Sequence, residues 1–327
     1  MTKFILPLFL FFSFLAFSCK KEASEKKENI TQSFNVKLNL GGELSVSESL
    51  LSTSGTITVP RSVSTNDLLG VYILAKKDGE NTYLDYAYGL FDNSNSINIT
   101  MLAGYKYQII ASVVIDGKNR IKKTGESYGH PFNVALENKI IYSNSFGLYG
   151  IYRGPAKIGT ELFVGVPNVD RYYGAVSDFT PGQSNSSISI NLKRVVFGAK
   201  FIVQNLTNGR VEIQIIGSQY GSNKIIIDKN MEPKIHEDIY TFFNPSGVID
   251  WINDGYTEQM EVWVNWVNDA GIEANIAKQP VTFKRKTLTT ITIKMTDGSS
   301  SSSSNSLSIN MEPASPLNDG GNINIVQ

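Results

Sequence analysis

The chain has 327 residues, and Lys plus Arg and Asp plus Glu are each 30, so its formal net charge is zero. That balance leaves no electrostatic case for nucleic acid or an acidic polymer as partner. A single cysteine excludes an internal disulfide, so stability has to come from core burial and sheet hydrogen bonding. The apolar residues are rich in Val, Ile, Phe and Tyr, with plentiful Gly, Ser and Asn between them, which is the composition of an all-β protein.

Taken from the start, Lys3 precedes an apolar block from Phe4 to Phe17, and Ser18 leads into Cys19. A basic start, an apolar stretch of fourteen residues and a small residue at the end predict a secretory signal over residues 1–18. The other reading is an uncut anchor, but a spanning helix needs about 20 apolar residues. Residues 19–32 carry mixed charge without an apolar face, and predict a solvated tether.

The first structured stretch alternates, with Phe34, Val36, Leu38 and Leu40 on one face. Gly41-Gly42 then reads as a tight turn into Leu44 and Val46, and Ile57 and Val59 continue before Pro60-Arg61. Val71 and Ile73, the Asp78-Gly79 turn and Tyr83 to Tyr88 predict a hairpin, and Ile97, Ile99 and Met101 a further strand. The longest alternation runs from Tyr105 to Ile115, and reads as closed by Asp116-Gly117 and returned by Ile121. Residues 125–160 read as long connections, Leu162 to Val166 as a strand, Pro167 to Ser186 as irregular, and Ile188, Ile190 and Leu192 as a strand.

A domain boundary falls at Lys193-Arg194, giving domains over residues 33–193 and 194–297. The second opens with Val195 to Val203, and continues with Val211 to Ile215 after Asn208-Gly209 and with Ile225 to Ile227. Pro233 to Asn253 reads as one short helix or as loop. Met260 to Trp266, Val281 with Phe283, and Leu288 to Met295 complete the strands of a β-sandwich. Residues 298–327 are a serine run and a C-terminal strand segment, which either pairs with its own domain or with a neighbour's.

Chemistry is sparse. His130 and His236 have no second histidine at metal spacing, which predicts no metal site, and no serine sits in a nucleophile elbow. Asp250, Asp254, Glu258 and Glu261 lie near Trp251, Tyr256, Trp263 and Trp266, where an aromatic platform could hold a sugar. Trp251 and Trp263 are the candidate glycan contacts, whereas Trp266 falls in register with Val262 and Val264 as core. Two carboxylates would suffice for glycoside hydrolysis, a geometry the sequence does not exclude, but Trp263 and Trp266 cannot share one strand face, and the chain reads as a non-enzyme without a cofactor.

Cys19 at the cleavage point resembles the lipobox of bacterial lipoproteins, whose cysteine is acylated and becomes the mature N-terminus. Phe17 departs from it, because a smaller side chain is usual there. Lys20-Lys-Glu22 is similar to the signal that sends Bacteroidota lipoproteins to the outer face of the outer membrane. Through Leu68-Leu-Gly-Val-Tyr-Ile73, Tyr86-Ala-Tyr-Gly-Leu-Phe91 and Leu102-Ala-Gly-Tyr-Lys-Tyr107, most of the chain resembles the fimbrillin-like lipoproteins of Bacteroidota. The resemblance implies two tandem β-sandwich domains of Greek-key, transthyretin-like kind and a lipid-anchored place on the cell outer membrane. It also implies a subunit, tip or anchor of a pilus whose partners are other fimbrial subunits, joined by β-strand donation after an arginine-specific cut. Arg61, the first arginine, is the candidate cut, or else an ordinary loop residue. The alternative function is a glycan-binding surface lipoprotein of a nutrient-uptake system.

Overall fold

The computed structural model describes residues 32–43, 66–93, 97–143, 168–217, 222, 224–242 and 250–295, with backbone pairing alone at 156–157, 163–164, 309–311 and 315–316. The signal, Cys19, the tether up to residue 31, Leu44, Val46, Ile57, Val59, Arg61, Leu162, Val166 and the serine run lie outside the described residues.

The first set of long strands is β1 (Ser33–Gly42), β2 (Leu68–Lys77), β3 (Leu84–Phe91), β4 (Ile97–Leu102) and β5 (Tyr105–Val114). A single helical turn, α1 (Gly117–Arg120), follows β5. Then come five two-residue strands, β6 (Lys123–Thr124), β7 (Ser127–Tyr128), β8 (Ile141–Tyr142), β9 (Ala156–Lys157) and β10 (Phe163–Val164), and the longer β11 (Arg171–Phe179) and β12 (Ser187–Arg194). Their hydrogen-bonded path is β4-β1-β12-β11-β5-β2-β3-β8. The path folds back on itself at β12, whose residues 187–192 pair with β1 and whose last two, Lys193 and Arg194, pair with β11. A β-carbon on Gly174 would lie 2.6 Å from the Asn191 carbonyl oxygen, so only glycine lets β11 pass so close to β12.

The core of this first sandwich follows from side-chain alternation. Val36 and Leu38, Ile97, Ile99 and Met101, and Ile188, Ile190 and Leu192 line one layer, and Leu69, Val71, Ile73, Tyr107, Ile109, Ala111 and Val113 line the other. Strands β2 and β5 are buried on their second face as well, where Leu68, Tyr72, Ile110 and Val114 meet Ile121, Tyr128, Phe132 and Val134. That explains why Leu68 to Ala75 reads as a nearly unbroken apolar run rather than as an alternation.

The second set is β13 (Val196–Gln204), β14 (Arg210–Ile216), β15 (Ile225–Asp228), β16 (Ile235–Thr241), β17 (Thr257–Val267), β18 (Glu273–Lys284), β19 (Thr287–Lys294), β20 (Ile309–Met311) and β21 (Ser315–Pro316). One sheet runs β16-β13-β19-β20, with β21 also on β19, and the other runs β15-β14-β17-β18. Phe197, Phe201, Val211, Ile213, Val262, Val264, Phe283, Ile291 and Ile293 fill the space between them. Of the two readings of the C-terminal segment, its described part takes the first: β20 pairs antiparallel with β19 of its own chain. Trp266 is half-buried against this core, with its indole N–H donating to the Asn208 carbonyl at 2.8 Å.

Four local expectations are corrected. Gly41 and Gly42 are not a turn, because both stay in β1 and pair with Asn191 and Leu192. Ile121 does not return along β5, whose partners are β2 and β11, and the chain turns away there through α1. The stretch from Pro167 to Ser186 contains β11, which is buried at Arg171 to Gly174 without any alternation. Pro233 to Asn253 contains neither a helix nor only loop in its described part, but β16, a sheet-edge strand with exposed Glu237.

Candidate functional site

The strand that most invites a function is β1, because it is central in space and remote in sequence from everything it touches. Residues 33–38 pair antiparallel with β4, from Ser33 opposite Leu102 to Leu38 opposite Ile97. Residues 37–42 pair parallel with β12, from Lys37 opposite Ser187 to Gly42 opposite Leu192. Strand β4 has no other ladder partner among the described strands, so β1 is what joins it to the sheet. Val36 and Leu38 point inward and are buried, with Phe34 and Leu40 packed partly against the same core. Burial of each of the two fully covered side chains is worth about 1.5–3 kcal/mol. Ser33, Asn35 and Lys37 face water.

The C-terminal end of β1 is held by charge. The carboxylate of Glu43 accepts from Arg285 Nη1 at 3.0 Å and Nη2 at 3.3 Å, and from the Arg194 backbone N–H at 2.8 Å. Lys286 and Lys193 bring their ammonium groups to 3.5 and 3.7 Å. Burial by itself would push the Glu43 carboxyl up, but the bonds from Arg285 and Arg194 and the charges of Arg285 and Lys286 outweigh it and hold it below its ordinary value. Arg285 is itself buried, and further donates to the carbonyls of Asn253 and Arg194 and to the Asp254 carboxylate.

On the other side of β4 the sheet edge is closed by tyrosines reaching across from the opposite layer. The Thr100 N–H donates to Tyr142 Oη and the Tyr86 hydroxyl donates to the Thr100 carbonyl, both at 2.7 Å. The Leu102 N–H donates to Tyr107 Oη at 2.7 Å. Tyr86 stands edge-on to Tyr107 at 5.1 Å and to Tyr142 at 5.6 Å, so its ring braces the other two. An unpaired edge invites another strand, and this one has its backbone groups at Thr100 and Leu102 occupied. Tyr142→Phe is expected to speed amide exchange at Thr100 while leaving Leu102 unchanged, at a stability loss of about 0.5–1.5 kcal/mol; hydrogen exchange resolved by residue checks it.

The two tryptophans singled out from the sequence do not form a common platform. Trp251 is 3% exposed, with its ring 5.0 Å from that of Tyr173 and the Arg171 guanidinium 5.4 Å away, so it is part of the core rather than a surface for sugar. Trp263 is half-buried and on the outward face of β17, where Lys278 Nζ stands 3.8 Å over its ring and its indole N–H donates to Glu261 at 2.8 Å. The acidic neighbours likewise disperse, since Asp254 serves Arg285 and Glu261 serves Trp263. Glu258 shares the inward face of β17 with Met260 and accepts from Tyr256 Oη at 3.3 Å. Burial, reinforced by the nearby charge of Asp250, pushes its carboxyl up to about 7.

That shift has a sign that can be checked. A carboxyl raised in the folded state favours folding below its ordinary 4.5 and loses that contribution as pH rises toward 7. Glu258→Gln is therefore expected to stabilise the protein by about 1–2 kcal/mol at pH 8 and by much less at pH 4, read from urea unfolding at the two pH values.

His130 lies within 3.0 Å of the Asn133 amide, and His236 is held below its ordinary value by burial. Among the described residues no group of three or more His, Cys, Asp or Glu could hold a metal ion, and no helix is long and apolar enough to cross a membrane.

No protein-family model matches the chain, and no curated protein matches it either. Among solved structures it is similar to a Bacteroides thetaiotaomicron protein named as a candidate for polysaccharide binding, at 10% identity and TM-score 0.39, over 81% of this chain and 92% of that one. It is also similar to the fimbrial anchor protein Mfa2 from Porphyromonas gingivalis, at 11% identity and TM-score 0.39, over 85% of this chain and 95% of that one. The tip fimbrial protein Mfa3 from the same organism, with C-terminal truncation, aligns at 9% identity and TM-score 0.33, over 85% of this chain and 98% of that one. Identities this low carry no partner or ligand across to this chain.

Proposed function

We propose that the chain is a lipid-anchored structural or adhesive subunit of a fimbria-like assembly on the outer membrane, built as two sandwiches over residues 33–193 and 194–297, with β1 as its exchangeable strand. The observation that carries this reading is the pairing of β1. Both its ladder partners lie far along the chain, so its departure breaks no hairpin, yet it opens the facing edges of β4 and β12 and uncovers the places of Val36 and Leu38. Such a slot strongly favours insertion of another strand. Cys19 would hold the lipid, and a cut at Arg61, which follows β1 in the chain, would release β1 together with that lipid.

Mass spectrometry of surface material tests the proposal. Oligomers whose subunits begin after Arg61, lost in an Arg61→Ala strain, are the expected result. Recovery of the chain only as an acylated monomer beginning at Cys19 would sink the exchange mechanism. The glycan-binding alternative retains Trp263 alone; glycan-array binding lost in Trp263→Ala would support it, and no binding of the folded chain to any glycan removes it.

A further inference from the structure

We infer that the far end of the β1 slot is a carboxylate-reading site, so that a strand taking the place of β1 has to present a carboxylate directly after the glycine position, from the next side chain or from the chain terminus. This rests on the reading of β1 as an exchangeable strand and adds a specificity to it.

The argument begins with where the donors come from. Among the described residues, the donors around Glu43 belong to the end of β12 or to the turn between β18 and β19: the Arg285 guanidinium, the Arg194 N–H, and the ammonium groups of Lys193 and Lys286. None is part of β1, so all of them remain when β1 leaves. The Arg194 side chain is already committed, with its Nε and Nη2 on Asp170 at 2.8 and 2.9 Å. Among the described residues, Arg285 and Lys193 then share one remaining carboxylate, that of Asp254, whose side chain is 82% exposed, and Lys286, whose ion pair is with Glu43, loses that partner. Three cations against one anion, with the Arg285 side chain only 3% exposed, is an arrangement that an arriving carboxylate completes. The fork of Arg285 takes both oxygens of that carboxylate, a geometry an amide cannot reproduce.

The position before the acid is read as well. Gly42 has φ +83°, and a β-carbon there would lie 2.7 Å from the Leu192 carbonyl oxygen and 2.8 Å from its nitrogen. The fitting partner is therefore an extended segment with inward aliphatic side chains at the places of Val36 and Leu38, glycine at the place of Gly42, and then a carboxylate. The carboxylate can be a glutamate side chain or the terminal group of a chain that stops at the glycine.

The test uses the full chain with a protease site placed between residues 44 and 65, cut after folding, so that β1 stays bound but is no longer continuous with the rest. Labelled peptides of residues 33–43 with an amidated end, in the natural form and as Glu43→Gln, compete for the slot, together with a peptide ending at Gly42 with a free carboxylate; native mass spectrometry reads occupancy. The natural peptide is expected to outbind the Glu43→Gln peptide by at least about tenfold, as charge-assisted bonds exceed neutral ones. The preference should narrow in a chain carrying Lys193→Gln and Lys286→Gln, both partly exposed positions that leave the core untouched. Recovery of affinity in the peptide ending at Gly42 identifies the terminal carboxylate as an equivalent source, and no recovery assigns the site to the glutamate side chain. Equal occupancy by the natural and Glu43→Gln peptides overturns the carboxylate reading and leaves strand exchange standing. Exclusion of every peptide while β1 stays in place overturns the exchange reading, and this site with it.

Discussion

Arg285→Met is expected to destabilise the protein by about 3–5 kcal/mol, the cost of leaving a buried charge network without one member. The guanidinium serves five acceptors at once: both oxygens of Glu43, the carbonyls of Asn253 and Arg194, and the Asp254 carboxylate. Methionine fills much of the volume but supplies no donor, so the two carbonyls and the half-buried Glu43 lose partners together. Urea unfolding at pH 7 measures the loss, and a double-mutant cycle apportions it. With Glu43→Leu added, the double variant should be less destabilised than the sum of the singles, because neither half of the pair is left behind. The pH dependence supplies an independent check. A carboxyl held below its ordinary 4.5 contributes stability above that value and loses it as pH falls through the folded-state value. The gap between the native chain and Glu43→Gln should therefore be full at pH 7 and close in strong acid.

How much of this was legible in the sequence depends on which residues carried a period. Strands β1, β4, β12, β17 and β19 bury one face and wet the other, and Val36, Ile99, Ile190, Val262 and Ile291 mark them through spacing alone. Strand β11 escaped because burial at Arg171, Tyr172, Tyr173 and Gly174 is continuous and includes a charge. An arginine in a tyrosine-rich stretch looks like surface until Ser112 and Trp251 are seen around it. Strand β16 escaped for the opposite reason, since His236, Glu237 and Asp238 mask its apolar residues.

At β1, the alternation marks the first strand but nothing of what holds its end. Glu43 follows two glycines whose local preference is for a turn, and that preference loses to pairing with β12. Its partners, Arg194 and Arg285, lie 151 and 242 residues away. No spacing rule joins positions so far apart, so the charge site becomes visible only once both sandwiches are folded. The same holds for the tyrosine closure of β4, where Tyr86, Tyr107 and Tyr142 come from three different strands. The tryptophans misled in the reverse direction: proximity in sequence suggested a platform, but the fold buries Trp251 and leaves Trp263 on an outer sheet face.

The glycine pair gives the second large effect, and it separates a backbone requirement from a mere preference. Gly42→Ala is expected to cost more than about 3 kcal/mol, because a left-handed backbone already costs about 1–2 kcal/mol for an L side chain and the added carbon meets backbone atoms that cannot rotate away. Those atoms are the Leu192 oxygen and nitrogen at 2.7 and 2.8 Å and the Asn191 carbonyl carbon at 3.1 Å. Relief requires the end of β1 to lift from β12, which pulls Glu43 away from Arg285 and compounds the loss. Gly41→Ala is the matched control, since its added carbon meets only the Asn191 side-chain oxygen at 3.9 Å. It should be neutral, or stabilising by up to about 1 kcal/mol through a less flexible unfolded chain. Urea midpoints of the two variants test the contrast, and hydrogen exchange along β1 locates it: Gly42→Ala should loosen residues 40–42 first and leave the pairing of residues 33–38 with β4 protected. Equal midpoints for the two variants would mean that β1 does not press against β12 at Leu192, and that the slot has no requirement for glycine at its end.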